Sequence, residues 1–353
     1  MLMRAATCKI LTLLGLLTLV LQLGGCSTPD KYNNIRITPE SAVVTYPPIF
    51  EEAGGTERAS QFALMALFAK TVYRKDIADD KVRKDRACEY LAHPEHRDVL
   101  LDMPRDANGG WARWTVPGAC YGESGLYFET YVYSNEKGEI GKAVIGIRGT
   151  ENDTLYEARR DWGANLSGVL PFAGAEYRRA KLYVIPVIDE LAKKTRPDGK
   201  PIEIFLTGHS LGGGIAQYIA YLSPNVSATF TFNTSPVTHW FQLQEEEKKR
   251  DPIIYRIYMG KEILSYVREV TSRFNIRRYN RSDYEFFFVD TGIVGAHDIS
   301  HLTCQFAARV PRCGAEHGYS YADATATLTS PTLCPNEIRK HISPYLLDRD
   351  EPK

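Results

Sequence analysis

The run IEIFLTGHSLGGGIAQYIAYL, residues 202–222, decides how the chain folds. Ile202, Ile204, Phe205 and Leu206 form a short β-favouring stretch, as a buried strand would. From Leu211 onward the apolar residues Leu211, Ile215, Tyr218, Ile219 and Leu222 recur at helical spacing. Between them lies Gly208-His209-Ser210-Leu211-Gly212, a G-x-S-x-G pattern in which serine occupies a strained position at a sharp turn. Flanking glycines keep side chains clear of that turn and of the helix after it. The helix N-terminus beside the hydroxyl favours developing negative charge. Ser210 is therefore either a nucleophile or an incidental residue in a Gly-rich loop of a doubly wound sheet. The flanking strand and helix favour the nucleophile.

Outward from this stretch, helix and strand patterns alternate. A helix is expected over ERASQFALMALFAKTVYR (57–74), with apolar residues at 62, 65, 66, 69 and 73. LYFETYVYS (126–134) and KAVIGIRGT (142–150) read as strands joined by the turn NEKGE, and a further helix is expected around 174–194. ATFTFNTSP (228–236), PIIYRIYM (252–259) and YEFFFVDTG (284–292) read as three more strands. This alternation points to an α/β fold with a mostly parallel central sheet and helices on both faces. Residues 75–120, charged and then rich in Pro, Gly and Trp, read as an irregular insertion.

A serine hydroxyl needs a base, and the base needs an orienting carboxylate. In an α/β-hydrolase both follow the serine, acid first. His239, His297, His301, His317 and His341 lie beyond Ser210. His239 comes before any acid-bearing strand end. His297, in VDTGIVGAHDISHLTCQF, follows a strong strand at the start of a helix, where the base belongs; His301, four residues on, is the alternative. PIIYRIYM runs into Gly260-Lys261-Glu262, which makes Glu262 the acid, with Asp283 and Asp290 as rivals. The oxyanion of a tetrahedral intermediate needs two N–H donors. Leu211 offers one from the start of the helix, and Thr150, after Arg148-Gly149, offers the second.

The ordered set IRGT, RDWGANL (160–166), TGHSLGGGIA (207–216) and FNTSPV (232–237) resembles the class 3 lipase family of α/β-hydrolases over most of residues 57–305. That resemblance implies Ser210 as nucleophile, oxyanion donors from Thr150 and Leu211, an acid after the next-to-last strand and a histidine after the last. It also implies that Asp161-Trp162 is a structural pair behind the oxyanion loop. Where the family usually has aspartate this chain has Glu262, and the family's phenylalanine before RGT is Ile147. Family enzymes cleave acyl esters of acylglycerols or phospholipids. The implied function is a serine hydrolase acting on lipid carboxylic esters through an acyl-enzyme, needing no cofactor and no metal. The alternatives are an acyltransferase on the same serine, or an inactive lipoprotein that binds a lipid or protein partner.

The chain has 353 residues, 44% hydrophobic and 24% charged, which suits a globular protein of one large domain or two small ones. With 43 basic and 43 acidic residues, nothing points to nucleic acid. Arg4 and Lys9, the apolar run ILTLLGLLTLVLQL and Leu23-Gly24-Gly25-Cys26 read as a secretory signal over 1–25 ending in a lipobox, with diacylation of Cys26. The apolar run is short for a membrane span. Ser27 after the cysteine, by bacterial sorting habits, points to the outer membrane. An acyl anchor, followed by a Pro/Gly-containing tether over 26–56, would hold a domain of residues 57–345 to lipid. Disulfides suit such an exported chain, with Cys88–Cys120 and Cys304–Cys313 as the expected pairs. Between Thr150 and Trp162 the presumed lid includes ENDTLYEARR, which is mostly polar and points away from bulk triglyceride toward membrane lipid or a smaller ester. GVLPFAG (168–174) is an apolar segment suited to acyl chains. Arg273, Arg277, Arg278 and Arg281 are suited to phosphate headgroups or to a solvated surface, and EEEKKR (245–250) reads as an exposed helix end.

Overall fold

A computed structural model describes residues 34–37, 55–96, 103–123, 125–149, 162–235, 237, 239–260, 262, 264, 281–286, 288, 295–310, 315–316 and 318–342. For 34–37, 55–59, 162–173, 281 and 315–316 it describes the backbone alone. Ten strands form one sheet: β1 (Asn34–Ile37), β2 (Arg105–Asp106), β3 (Gly109–Arg113), β4 (Cys120–Glu123), β5 (Leu126–Asn135), β6 (Ile140–Ile147), β7 (Glu203–His209), β8 (Ala228–Phe232), β9 (Ile254–Met259) and β10 (Arg281–Phe286). The spatial order is β1-β10-β9-β8-β7-β6-β5-β3-β2, with β4 also paired to β5. From β6 to β1 every pairing is parallel, whereas β5 and the strands beyond it are antiparallel. This is the mostly parallel sheet of an α/β-hydrolase fold.

The larger helices are α1 (Gly55–Thr71), α2 (Trp162–Ala192), α3 (Leu211–Leu222), α4 (Ile299–Ala307) and α5 (Tyr321–Thr329). Successive side chains of a strand point to opposite faces, so each central strand feeds two cores. On one face Val144 and Phe205 join Phe62, Phe68, Leu302 and Phe306 from α1 and α4. On the other, Ile145, Ile204 and Leu206 join Tyr177, Val184, Ile215 and Ile219 from α2 and α3. Strands buried on both faces carry near-continuous apolar runs, which is why β6, β7 and β8 stand out in the sequence.

Three expectations need correction. The described part of residues 75–120 is not irregular: it holds the short helices Asp80–Asp85 and Ala87–Tyr90, the edge strands β2 and β3 and the start of β4, tied by the Cys88–Cys120 disulfide. Part of the expected tether is a strand, since Asn34–Ile37 adds in parallel register to β10. Cys304 pairs with Cys334, not Cys313; the Cα atoms of Cys304 and Cys334 lie 5.6 Å apart because the segment after α5 folds back onto α4. Cys313 itself lies outside the described residues, as do residues 1–33 with Cys26, the presumed lid, and Arg273, Arg277 and Arg278. Among the described residues no helix is long and apolar enough to cross a membrane.

Just past α1 the chain takes a left-handed turn at Arg74, φ 51°. Its guanidinium forks onto Glu129 of β5, with Nε 2.5 Å from Oε1. Arg113 Nε (2.6 Å), the Tyr127 hydroxyl (2.6 Å) and the Tyr131 hydroxyl (3.2 Å) also donate to this carboxylate. Arg74 and Glu129 are both fully buried.

Candidate active site

Strand β7 ends at His209 and α3 begins at Leu211, so Ser210 alone makes the turn. Its φ is 55° and ψ −124°, a conformation that costs a non-glycine residue about 1–3 kcal/mol. The surroundings hold it there. Ser210 N–H donates to Phe232 O (3.0 Å), and Ser210 O accepts from Ser235 N–H (3.0 Å) and Gly213 N–H (3.1 Å). The glycines answer to sterics: a Cβ on Gly208 would come 2.5 Å from the Gly212 backbone, and one on Gly212 would come 2.2 Å from Ile147 O.

His297 sits on the loop before α4, with Nε2 3.0 Å from Ser210 Oγ and Nδ1 2.5 Å from Glu262 Oε2. The three side chains come from the exits of β7 and β9 and from the loop leading into α4, all at the carboxyl edge of the sheet. Serine, histidine and glutamate are all buried. Glu262 Oε2 also accepts from Leu264 N–H (3.0 Å), which fixes the carboxylate. A carboxylate only accepts, so Nδ1 carries the hydrogen and Nε2 is left to accept from the serine hydroxyl.

The rivals stand elsewhere. Asp283, on β10, is buried in an ion pair with Arg256, and the carboxylate at His297 Nδ1 is that of Glu262. His301 lies in α4; among the described residues its buried Nδ1 has no hydrogen-bond partner and it makes no bond to Ser210. Asp290 lies outside the described residues. So does Thr150, but Gly149 before it runs against the elbow: a Cβ there would lie 2.4 Å from His209 O and 3.1 Å from Ser210 Cβ. Leu211, the other expected oxyanion donor, opens α3 with its N–H at the helix N-terminus. GVLPFAG falls within α2. Among the described residues no group of histidine, cysteine and carboxylate side chains is placed to hold a metal ion.

Three residues that sequence reading left without a role hold the histidine loop. Asn233, at φ 43° just past β8, donates from Nδ2 to Ala296 O (3.0 Å) and His297 O (3.1 Å), and its Oδ1 accepts from Met259 N–H (2.9 Å). One amide thus ties the base loop to the strand that delivers Glu262. His209 Nε2 is 2.7 Å from His297 O, and its Nδ1 is 2.7 Å from the Tyr73 hydroxyl. Burial, and then the neighbouring His297, push His209 down to about 3. It is therefore neutral, donating from Nε2 and accepting from Tyr73. The sequence signal was present in part: Asn233 falls in FNTSPV and His209 inside the elbow. Tyr73 is reachable only through the fold.

A family model described as "Phospholipase-like: Tle-like phospholipase domain" matches residues 64–279, more than half of the chain. Among solved structures, the Lip2 lipase of Yarrowia lipolytica is 15% identical at a TM-score of 0.35, over 65% of this chain and 78% of that one. Lipase II from Rhizopus niveus is 14% identical at a TM-score of 0.36, over 60% and 76%. M37 lipase is 14% identical at a TM-score of 0.33, over 81% and 96%. None of the curated proteins matches the chain.

Proposed function

The chain belongs to the Tle-like phospholipase domain family, and from that premise we propose that it is a serine hydrolase cleaving carboxylic esters of lipids through an acyl-enzyme on Ser210. The observation that carries this reading is the unbroken hydrogen-bond chain from Ser210 Oγ through His297 to Glu262, at 3.0 and 2.5 Å, on a strained turn.

In the proposed mechanism His297 Nε2 takes the hydroxyl proton as Ser210 Oγ attacks the ester carbonyl. Glu262 stabilises the imidazolium that forms, without itself accepting the proton. Charge on the carbonyl oxygen is met by the Leu211 N–H at the start of α3 and by Thr150 after Gly149, a donor pair of the kind worth about 3–4 kcal/mol per donor. His297 then protonates the leaving alcohol. Water repeats the sequence on the acyl-enzyme, releasing a fatty acid and freeing Ser210.

The proposal extends to place. Residues 1–25 are read as a lipoprotein signal, with Cys26 acylated and the enzyme held at the outer membrane. The Cys88–Cys120 and Cys304–Cys334 disulfides support export to an oxidising compartment.

The test is fluorophosphonate labelling of the full chain with mass mapping, beside Ser210→Ala, His297→Ala and Glu262→Ala. Labelling at Ser210 that collapses in His297→Ala is expected, with fatty acid release from phospholipid. A folded chain that takes no label would overturn the reading. Transfer to an added alcohol at the expense of free fatty acid would convert it to acyl transfer.

A further inference from the structure

The two disulfides sit in different surroundings. Cys304 and Cys334 are 0% and 1% exposed, inside the core shared by α1 and α4. Cys88 and Cys120 are both half-buried, at the antiparallel edge of the sheet. An external thiolate therefore reaches the Cys88–Cys120 bond in the folded chain, and reaches the other only when the core opens.

What the exposed bond holds is the segment 80–91. Cys88 lies in the short helix Ala87–Tyr90, and Cys120 opens β4 directly opposite Glu129 of β5. Helices of six and four residues are too short to stand alone in water, so the rest of the molecule keeps them in place. Ala87 and Leu91 are buried, and Leu91 O accepts from Arg113 Nη1 of β3 (2.9 Å). The disulfide adds the covalent tie.

This segment in turn grips the exit of β6. Arg148, the residue after β6, is 7% exposed and donates from Nη1 to Arg83 O (3.4 Å). Its guanidinium lies over the Tyr127 ring, 4.6 Å from the centroid, and the Tyr127 hydroxyl is 3.9 Å from Cys120 Sγ. Next along the chain come Gly149, which runs against the elbow, and Thr150, the proposed oxyanion donor. At such a position a displacement of about 1 Å costs about 10²-fold in rate.

We infer that Cys88–Cys120 is a redox latch on the oxyanion side of the site. Closed, it holds segment 80–91 against Arg148; open, it lets the exit of β6 drift from the nucleophile and kcat falls. The inference rests on the reading of Ser210 as nucleophile and Thr150 as donor. The reductant is a dithiol. One of its thiolates attacks a sulfur of the pair, so the protein S–S bond breaks, a mixed disulfide forms, and the other cysteine leaves as a thiolate that takes up a proton. The second thiolate of the reductant then displaces the protein sulfur, which is protonated in turn. Two protein thiols and one oxidised dithiol result, a two-electron exchange. Such a latch keeps a lipid-cleaving enzyme weak in a reducing cytosol and sets it after export.

The test treats the full chain with dithiothreitol under native conditions, with alkylation and mass mapping of the free thiols. Cys88 and Cys120 should be alkylated while Cys304 and Cys334 stay joined and near-UV CD is kept. Fluorophosphonate labelling of Ser210, and kcat on a phospholipid in mixed micelles, should fall by about tenfold or more and recover with oxidised glutathione. KM should stay within a few-fold, because an oxyanion contact is made in the transition state. An unchanged rate with both thiols free overturns the latch, as does a bond that resists dithiothreitol. Loss of near-UV CD on reduction also overturns it, making the bond a folding staple.

Two variants sharpen the route. Cys88→Ala/Cys120→Ala should sit at the reduced rate and ignore dithiothreitol, and a wild-type rate there sinks the inference. Arg148→Met should lower kcat in the oxidised chain, and reduction should then add little; a full further tenfold loss removes Arg148 from the path and overturns the latch as drawn. Hydrogen exchange needs no turnover: peptides covering 80–91 and 143–149 should exchange faster once reduced. An oxidised chain that takes no label and cleaves no lipid defeats the hydrolase reading. Exchange alone then judges the latch, and unchanged protection over 143–149 overturns it.

Discussion

Glu129 and Glu262 are the same residue type, both buried, and they do opposite things. Glu129 is saturated by two guanidiniums and two tyrosine hydroxyls. Burial pushes its carboxyl up, but Arg74 and Arg113 outweigh burial and hold it at about 2. Nothing in that knot exchanges a proton near neutral pH, because guanidinium is permanently charged. Glu262 instead faces an imidazole, the side chain whose ordinary range spans neutrality, and that imidazole faces a hydroxyl. What separates a strut from the proposed catalytic orienter is the proton traffic its partner permits; burial is common to both.

The comparison breaks most sharply by mutation. Ser210→Ala and His297→Ala should each lower kcat by about 10⁴-fold or more, and Glu262→Gln by about 10³–10⁴-fold, all with Tm nearly unchanged. Steady-state kinetics beside thermal melts checks this, and a Glu262→Gln enzyme with near-normal kcat would remove Glu262 from the chemistry. Glu129→Gln should do the reverse. It leaves Arg113 without its carboxylate and Arg74 with only Asp76, 3.4 Å away, costing about 3–5 kcal/mol in urea unfolding while kcat per folded molecule stays within a few-fold.

Acid separates the two regions by pH window. His209 is neutral in the fold down to about 3, whereas unfolded histidine takes a proton below about 6.5. The unfolded state then binds more protons, so stability falls with acidification, by about 2 kcal/mol at pH 5 from this residue. His239 and His301, also pushed down by burial, act in the same direction. The Glu129 contribution is present above about pH 4.3 and is lost as pH falls toward 2. Urea midpoints at pH 7, 5 and 3.5 should show the first loss alone and then both, with the first reduced in His209→Gln. The smallest effect is Tyr73→Phe, which removes one hydroxyl and should cost about 1 kcal/mol with a few-fold drop in kcat. Complete inactivation without destabilisation would mean that Tyr73 touches the substrate.

How much of this could be read in the sequence follows from how local each cause is. The elbow was legible because its glycines and its strand and helix periodicities lie within twenty-one residues. The placement of Glu262 and His297 beside Ser210 was legible because an α/β-hydrolase fold brings a carboxylate and a histidine to strand exits in a known chain order. The strands β2 to β4 were not, since they are two to five residues long and form one edge by pairing β3 and β4 with β5 and β2 with β3, which no local pattern announces. Strand β1 hid in a Pro/Gly-containing stretch and is strand only through β10. Cys334 lies 30 residues from Cys304, and Glu129 lies 55 residues from Arg74. Such partners are set by topology, so periodicity carries no trace of them.

The turn at the end of α1 has a mechanical meaning. Tyr73 bonds to His209 behind the base loop, and the next residue, Arg74, is clamped to Glu129. One peptide unit is therefore shared by the stability knot and the scaffold of the proposed active site, and the left-handed turn at Arg74 fixes the angle between them. The antiparallel edge of the sheet acts as an anchor plate, with α1 as the lever arm that sets the height of the histidine. Loosening the plate should be felt as misalignment at the serine before the domain unfolds, as a non-additive coupling between Glu129 and Tyr73 substitutions in a double-mutant cycle.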